Sequence, residues 1–210
     1  MDLNKTVENL QKNRMNAIIV ETKEEVLPLL AQLLPKGGVV THGGSVTLEQ
    51  CGIPEMLRQG NYQYLDRTAV ADPMEVYQKG YGADIFLSSS NAITENGELY
   101  NVDGNSNRIS ALCFGPKKVI VIAGINKIVK TLDDAILRVK TIAAPRNAAR
   151  LKCNTYCSKT GQCVSLLKKN PSMTDGCESD NRICRNYLIS GAQRDPERIT
   201  VIIVKENLGY

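Results

Sequence analysis

Two short runs, Lys118-Val-Ile-Val-Ile-Ala-Gly124 and Ile199-Thr-Val-Ile-Ile-Val-Lys205, are apolar over nearly their whole length. A strand with one wet face alternates apolar and polar residues, so a strand without alternation is covered on both faces. Shorter strand signals lie at Asn16–Val20, Gly38–Thr41, Tyr62–Leu65 and Asp84–Ser88. Between them fall helix signals at Thr6–Arg14, Thr22–Leu34, Asn105–Cys113 and Thr131–Ala143, with a further helix start at Asp72-Pro-Met-Glu75. Thr22 with Glu25, and Asp72 with Glu75, have the spacing of capping boxes. Strands alternating with helices predict an α/β fold, a mostly parallel sheet with helices on both faces. Ligands of such sheets bind beyond the carboxyl ends of the strands.

The 210 residues suit one domain with a core of its own. Aromatics make up only 5% and Trp is absent, so the core is aliphatic. No run approaches the roughly 20 apolar residues of a membrane span. Met1-Asp-Leu-Asn-Lys5 lacks the basic-then-apolar order of a signal peptide, so the chain is expected to be cytoplasmic. A net charge of +4 with both signs interspersed gives no basic stripe for nucleic acid. It suits a small anion as partner. The sequence does not set the oligomeric state, and a homodimer stays open.

The longest polar stretch, Asn91 to Arg108, lies between the strand at Asp84–Ser88 and the apolar run at Lys118. Its side-chain amides and carboxylates can present donors and acceptors from a rigid scaffold. The alternative is a solvated hairpin, since Asn and Gly are ordinary turn residues. Thr94 and Glu95 stand at one end, and Asp103, Asn105, Asn107 and Arg108 at the other. Glu95 is the first candidate for a general base, if desolvated. Arg108 offers a bidentate clamp for a carboxylate or phosphate, or a salt bridge to Asp103. A second loop, Thr41-His-Gly-Gly-Ser-Val-Thr47, allows close backbone approach at Gly43 and Gly44 and adds the hydroxyls of Ser45 and Thr47. It matches neither a Walker loop nor a dinucleotide fingerprint. Asn126 and Lys127, after the apolar strand, are expected at the same edge, where Lys127 would neutralise an anion.

Cys51 and Cys113 read as small buried hydrophobes. The other five of the seven cysteines crowd between Cys153 and Cys184, in a segment from about Leu151 to Ser190 with the turn residues of an irregular flap. In a reducing compartment such clustering suggests metal or redox chemistry. Cys157, Cys163, Cys177 and Cys184 would suit zinc or an iron–sulfur cluster, although close C-x-x-C pairs are absent. Free thiols, or a disulfide formed on oxidation, are the alternative.

Several ordered blocks together resemble the lactate-utilisation, or LUD-domain, family. They include Thr41-His-Gly-Gly-Ser-Val-Thr-Leu-Glu49, Asn61-Tyr-Gln-Tyr-Leu-Asp-Arg67, Asn91 to Arg108, Phe114 to Val129, Ala143-Ala-Pro-Arg-Asn-Ala148, Thr160-Gly-Gln-Cys163, Asp180-Asn-Arg-Ile-Cys184 and Glu206-Asn-Leu-Gly-Tyr210. The resemblance implies a fold like that of sugar-phosphate isomerases and CoA transferases, in which a turn such as Gly43-Gly-Ser45 holds phosphate or carboxylate. It also implies a place in bacterial lactate oxidation beside iron–sulfur proteins, with no reaction assigned to the domain. Relatives with a cysteine-rich tail carry the residues matching Cys163 and Cys177 close together. Here Val164 to Gly176 intervenes.

The resulting expectation is a protein that seats a small anionic metabolite, a carboxylate, sugar phosphate or CoA-like molecule. The alternative is a non-catalytic subunit or assembly factor of an iron–sulfur lactate-oxidising complex.

Overall fold

The computed structural model describes residues 2–210. Helix α1 (Leu3–Lys12) starts at Asp2, whose carboxylate accepts from the Lys5 amide at 3.0 Å. Strand β1 (Asn16–Val20), helix α2 (Val26–Leu33) and strand β2 (Val39–His42) follow. Next come α3 (Val46–Gln50), α4 (Ile53–Gln59), β3 (Gln63–Leu65), α5 (Pro73–Gly80) and β4 (Ile85–Ser88). A hairpin of β5 (Ala92–Thr94) and β6 (Leu99–Asp103) leads to α6 (Asn107–Cys113), β7 (Lys118–Gly124) and β8 (Ile128–Val129). The chain closes with α7 (Leu132–Arg138), α8 (Ala144–Arg150), α9 (Tyr156–Thr160), β9 (Asn186–Ser190) and β10 (Ile199–Val204).

Six strands form one parallel sheet in the order β1-β10-β7-β4-β2-β3. The two apolar runs, β7 and β10, lie side by side as interior strands. Alternate residues of each serve opposite faces. Ile120, Ile122, Ile202 and Val204 pack with Val26, Leu30, Leu48, Ile53 and Leu57 from α2, α3 and α4. Val119, Val121, Val201 and Ile203 pack with Leu10 of α1 and Leu112 of α6. Each such aliphatic side chain, fully buried, contributes about 1.5–3 kcal/mol.

A second sheet, β8-β5-β6-β9, lies over that latter face. Ile93 of β5 and Leu99 of β6 join the same core as β7 and β10. The Asn91–Arg108 stretch is therefore a buried hairpin for much of its length, with Ile93 and Leu99 facing this core and Ala92, Tyr100 and Val102 facing a smaller one beside α7. The flap after Leu151 is largely irregular, but its last residues form β9, which pairs antiparallel with β6.

Three local details differ from the sequence expectation. Residues Lys23–Glu25 wind as a tight 3₁₀ turn, which moves the helix start to Val26 and leaves Thr22 without a capping bond. Glu25 accepts instead from the Glu21 amide, at 3.4 Å. At α5, Asp72 accepts from the Met74 amide at 2.9 Å, while Glu75 turns outward to pair with Lys79. The helix begun at Thr131 does not end near Ala143. It passes through a π-helical turn, Val139–Ala143, and continues as α8 to Arg150. Pro145 has no amide proton, and its ring crowds the carbonyl four residues back. A widened turn just before it takes up that conflict without ending the helix.

Candidate functional site

Four parallel strands deliver their following residues to one edge of the sheet. β2 runs into His42-Gly43-Gly44-Ser45, where the Ser45 hydroxyl accepts from the Leu48 amide at 3.4 Å and starts α3. β4 runs into Ser89-Ser90-Asn91, β7 into Ile125-Asn126-Lys127, and β10 into the tail Glu206–Tyr210. These segments, with Arg108 of α6 and Asn147 and Arg150 of α8, enclose a pocket of about 110 Å³. Of the residues expected to seat a ligand, Gly44, Ser45, Thr47, Asp103, Arg108 and Lys127 line it.

Lys127 is the amine of the inner wall. It is 3% exposed. Its Nζ donates to the Thr47 hydroxyl at 2.8 Å and to the Ser89 hydroxyl at 2.9 Å. Among the described residues no carboxylate forms an ion pair with it. Burial, then the nearby Arg138 and Arg108 guanidinium groups, push its pKa down from the ordinary 10.5 to about 7. Arg138 is buried beside it and donates to the carbonyls of Asn126 (3.1 Å) and Asn91 (2.6 Å). Burial and Arg146 lower its pKa to about 10.

Arg108 has a different role from the ligand clamp its residue type suggests. Its Nε donates to Asp103 at 3.2 Å. One terminal nitrogen donates to the Ser89 carbonyl and the Asn101 amide oxygen, the other to the Asn91 amide oxygen and the Val102 carbonyl. A guanidinium has five N–H donors, and all five are engaged. Arg108 fastens the β4 exit to the hairpin and lends the pocket positive potential. Asp103 also accepts from the Arg108 and Ile109 amides, at 3.0 and 2.9 Å, which caps the first turn of α6.

The tail crosses the pocket mouth. Asn126 accepts from the Leu208 amide at 3.0 Å and donates to the Gly209 carbonyl at 3.4 Å, so it positions the tail and does not line the pocket. Gly209 has φ +57°, and a Cβ there would lie 2.6 Å from the Thr47 hydroxyl. The Tyr210 hydroxyl accepts from Arg150 at 2.8 Å and donates to Asn147 at 3.2 Å.

Outward, the pocket opens into a vestibule of about 670 Å³ that shares Gly44, Asp103, Arg108, Asn147 and Arg150 and adds Asn105, Asn107, Arg67, Arg182 and Arg185. Only Asp103 and Asp180 bring negative charge to it. The Arg67 guanidinium lies against Gly44, where a Cβ would come within 2.6 Å of it. Gly43 faces a separate small hollow with His42, Tyr81 and Phe86. His42 donates from Nδ1 to the Gly43 carbonyl at 2.7 Å and stacks on Tyr64. Burial lowers its pKa.

Thr94 and Glu95 stand at the far tip of the hairpin, apart from these residues. Thr94 donates to Glu98. Glu95 accepts from the Asp2 amide at 3.0 Å and lies 3.5 Å from the Lys5 ammonium, while its backbone carbonyl accepts from Asn9 at 2.7 Å. The Asp2 amide and Lys5 hold its carboxyl below the usual range. The tip docks on α1, so Glu95 cannot serve as general base in the pocket. Ser89, Ser90, Arg150 and Tyr210, which line the pocket, and Arg67, which lines the vestibule, are not among the residues singled out from the sequence. The Ser88-Ser-Ser-Asn91 run, polar residues directly after a buried strand, was the available signal for two of them.

Cys157, Cys163, Cys177 and Cys184 line a different, mostly apolar hollow with Tyr100, Tyr187 and Lys140. The donor type suits a soft metal. As they stand, no three His, Cys, Asp or Glu side chains among the described residues are grouped closely enough to hold one. Burial raises the pKa of Cys157 and Cys184. All seven thiols are free.

Fold and pocket define an α/β protein with a cation-lined cleft at the carboxyl edge of a parallel sheet. The chain belongs to the LUD-domain family, whose model matches residues 3–204. A crystal structure of a DUF162 family protein from Deinococcus radiodurans is similar at a TM-score of 0.53 and 14% identity, over 96% of this chain and 95% of that one. At that identity the likeness speaks for the fold. No curated protein matches the sequence. Among the described residues no helix is long and apolar enough to cross a membrane.

Proposed function

We propose that the protein binds a small anionic metabolite, a carboxylate, sugar phosphate or CoA-like molecule, in the cleft between Ser45 and Lys127. One observation carries the reading: Lys127 is buried on the pocket wall with hydroxyl partners and no carboxylate. An amine buried without a counterion holds a proton most readily together with an anion, which favours an anion at that place. The arginine-rich vestibule supports a ligand whose anionic groups extend outward. The family resemblance supports a setting in bacterial lactate utilisation. Calorimetric titration with carboxylates, sugar phosphates and CoA esters tests the reading. Binding by at least one class, lost in Lys127→Met, is expected. No binding by any class to folded protein overturns it.

A second reading rests on the cysteine-lined hollow. Four thiols around one space, with Lys140 and Arg182 near them, suit a subunit of an iron–sulfur lactate-oxidising complex whose flap rearranges to take up a metal or cluster. Metal and sulfide analysis of anaerobically purified protein separates the two readings. Iron with sulfide supports the second, and a metal-free protein removes it.

A further inference from the structure

Lysines that carry only charge are normally held by a carboxylate or stay in water. Lys127 has neither arrangement. Its Nζ sits between two hydroxyls, Thr47 from α3 and Ser89 from the β4 exit, and faces a pocket large enough for a small molecule. The charged groups that bear on it, Arg108 from α6 and Arg138 from α7, are both cations, and the Cys51 thiol beyond α3 is the other titratable neighbour. Like charge and burial both favour the neutral amine. A neutral amine held on the wall of a pocket is a nucleophile.

We propose that Lys127 captures a carbonyl-bearing anion, of the 2-oxo acid or anionic aldehyde class, as an imine. This rests on the anion-binding reading above and adds a covalent step to it. The Nζ lone pair attacks the carbonyl carbon, and the carbonyl π electrons move to oxygen. A proton passes from nitrogen to that oxygen, with the Thr47 and Ser89 hydroxyls placed to relay it, giving a carbinolamine. The nitrogen lone pair then forms the C=N bond as the C–O bond breaks, and the second N–H proton passes to the departing oxygen, which leaves as water and keeps the C–O electron pair. No oxidant or reductant is consumed. The ligand's anionic group is directed toward Arg150 at the mouth, the side from which the vestibule's positive potential acts.

Borohydride reduction tests this with pyruvate and glyoxylate as probes. The expected result is a stable mass increase that peptide mapping places on Lys127, at least about tenfold above any other lysine, and that is absent from Lys127→Met. Competitive acetylation of the unliganded wild type provides a second measurement independent of any ligand and of how the variant folds. Labelling of Lys127 is expected to rise through a midpoint near pH 7. Calorimetric binding of pyruvate without a borohydride-trapped adduct on Lys127 overturns the covalent step and leaves anion binding standing. A labelling midpoint near the ordinary 10.5 overturns the nucleophile itself.

Discussion

An ammonium group taken out of water must find a counterion, keep a path to solvent or give up its proton. Lys127 takes the third course, and this has a measurable sign. In the unfolded chain the amine keeps its proton up to about 10.5, whereas in the fold it releases it near 7. Between those values the unfolded state holds more protons, so stability rises with pH, by at most about 1.4 kcal/mol per unit from this group. Urea unfolding at a series of pH values from neutral upward should show that slope in the wild type and lose it in Lys127→Met. Asp103 illustrates the opposite case. Its carboxylate answers Arg108 and two amides at once. Breaking a largely buried ion pair typically costs about 3–5 kcal/mol. Asp103→Ala should therefore unfold at much lower urea, and a midpoint within the error of the wild type would show that the pair is not holding the hairpin to α6.

The π turn at Val139–Ala143 matters because α8, which carries Asn147 and Arg150 to the pocket, follows directly from it. Pro145→Ala restores an amide and removes the crowding ring, so a regular α-helix becomes available there. That change should leave thermal stability equal or higher while turning Asn147 and Arg150 away from the mouth and weakening anion binding several-fold. Unchanged affinity would show that the turn holds its shape without the proline. This device was not legible in the sequence, where the helix from Thr131 was read to end near Ala143: caps and apolar spacing mark where a helix starts and which face it buries, not a widened turn that carries it past a proline. The β7 and β10 strands were legible, because continuous burial leaves its mark on every residue. The hairpin was half legible. Its Asn and Gly residues advertised turns, but Ile93 and Leu99, buried against the large sheet, and Tyr100, buried on the other face beside α7, were too few to announce a second layer. Lys127 could be placed from the strand before it. Glu95 was misassigned because the docking of the hairpin tip on α1 depends on contacts between residues about ninety positions apart.

Across the whole molecule, charge and burial are distributed unevenly. The net charge is only +4, yet the vestibule gathers Arg67, Arg108, Arg150, Arg182 and Arg185 on one side. Screening shortens from about 10 Å at 0.1 M salt to about 3 Å at 1 M, so the vestibule's share of anion binding should fall over that range while the buried contact with Lys127 persists. Calorimetry in rising NaCl should show a partial loss of affinity that levels off. A loss continuing to complete release would place the whole ligand in the vestibule. In hydrogen exchange, amides of β7 and β10 should be the last to open, since both faces of those strands are covered. The flap between α9 and β9, which has little regular structure, should open earlier.

The segment Glu206–Tyr210 has a practical bearing on all of these measurements. Gln50, Asn126, Asn147 and Arg150 hold it across the cleft, with the Tyr210 ring at the rim. Anything fused after residue 210 begins its path beside the pocket mouth. An affinity tag placed there would crowd Arg150 and Asn147. A tag ahead of residue 2 would instead meet the hairpin tip at Glu95, remote from the cleft, and is the safer handle for binding work.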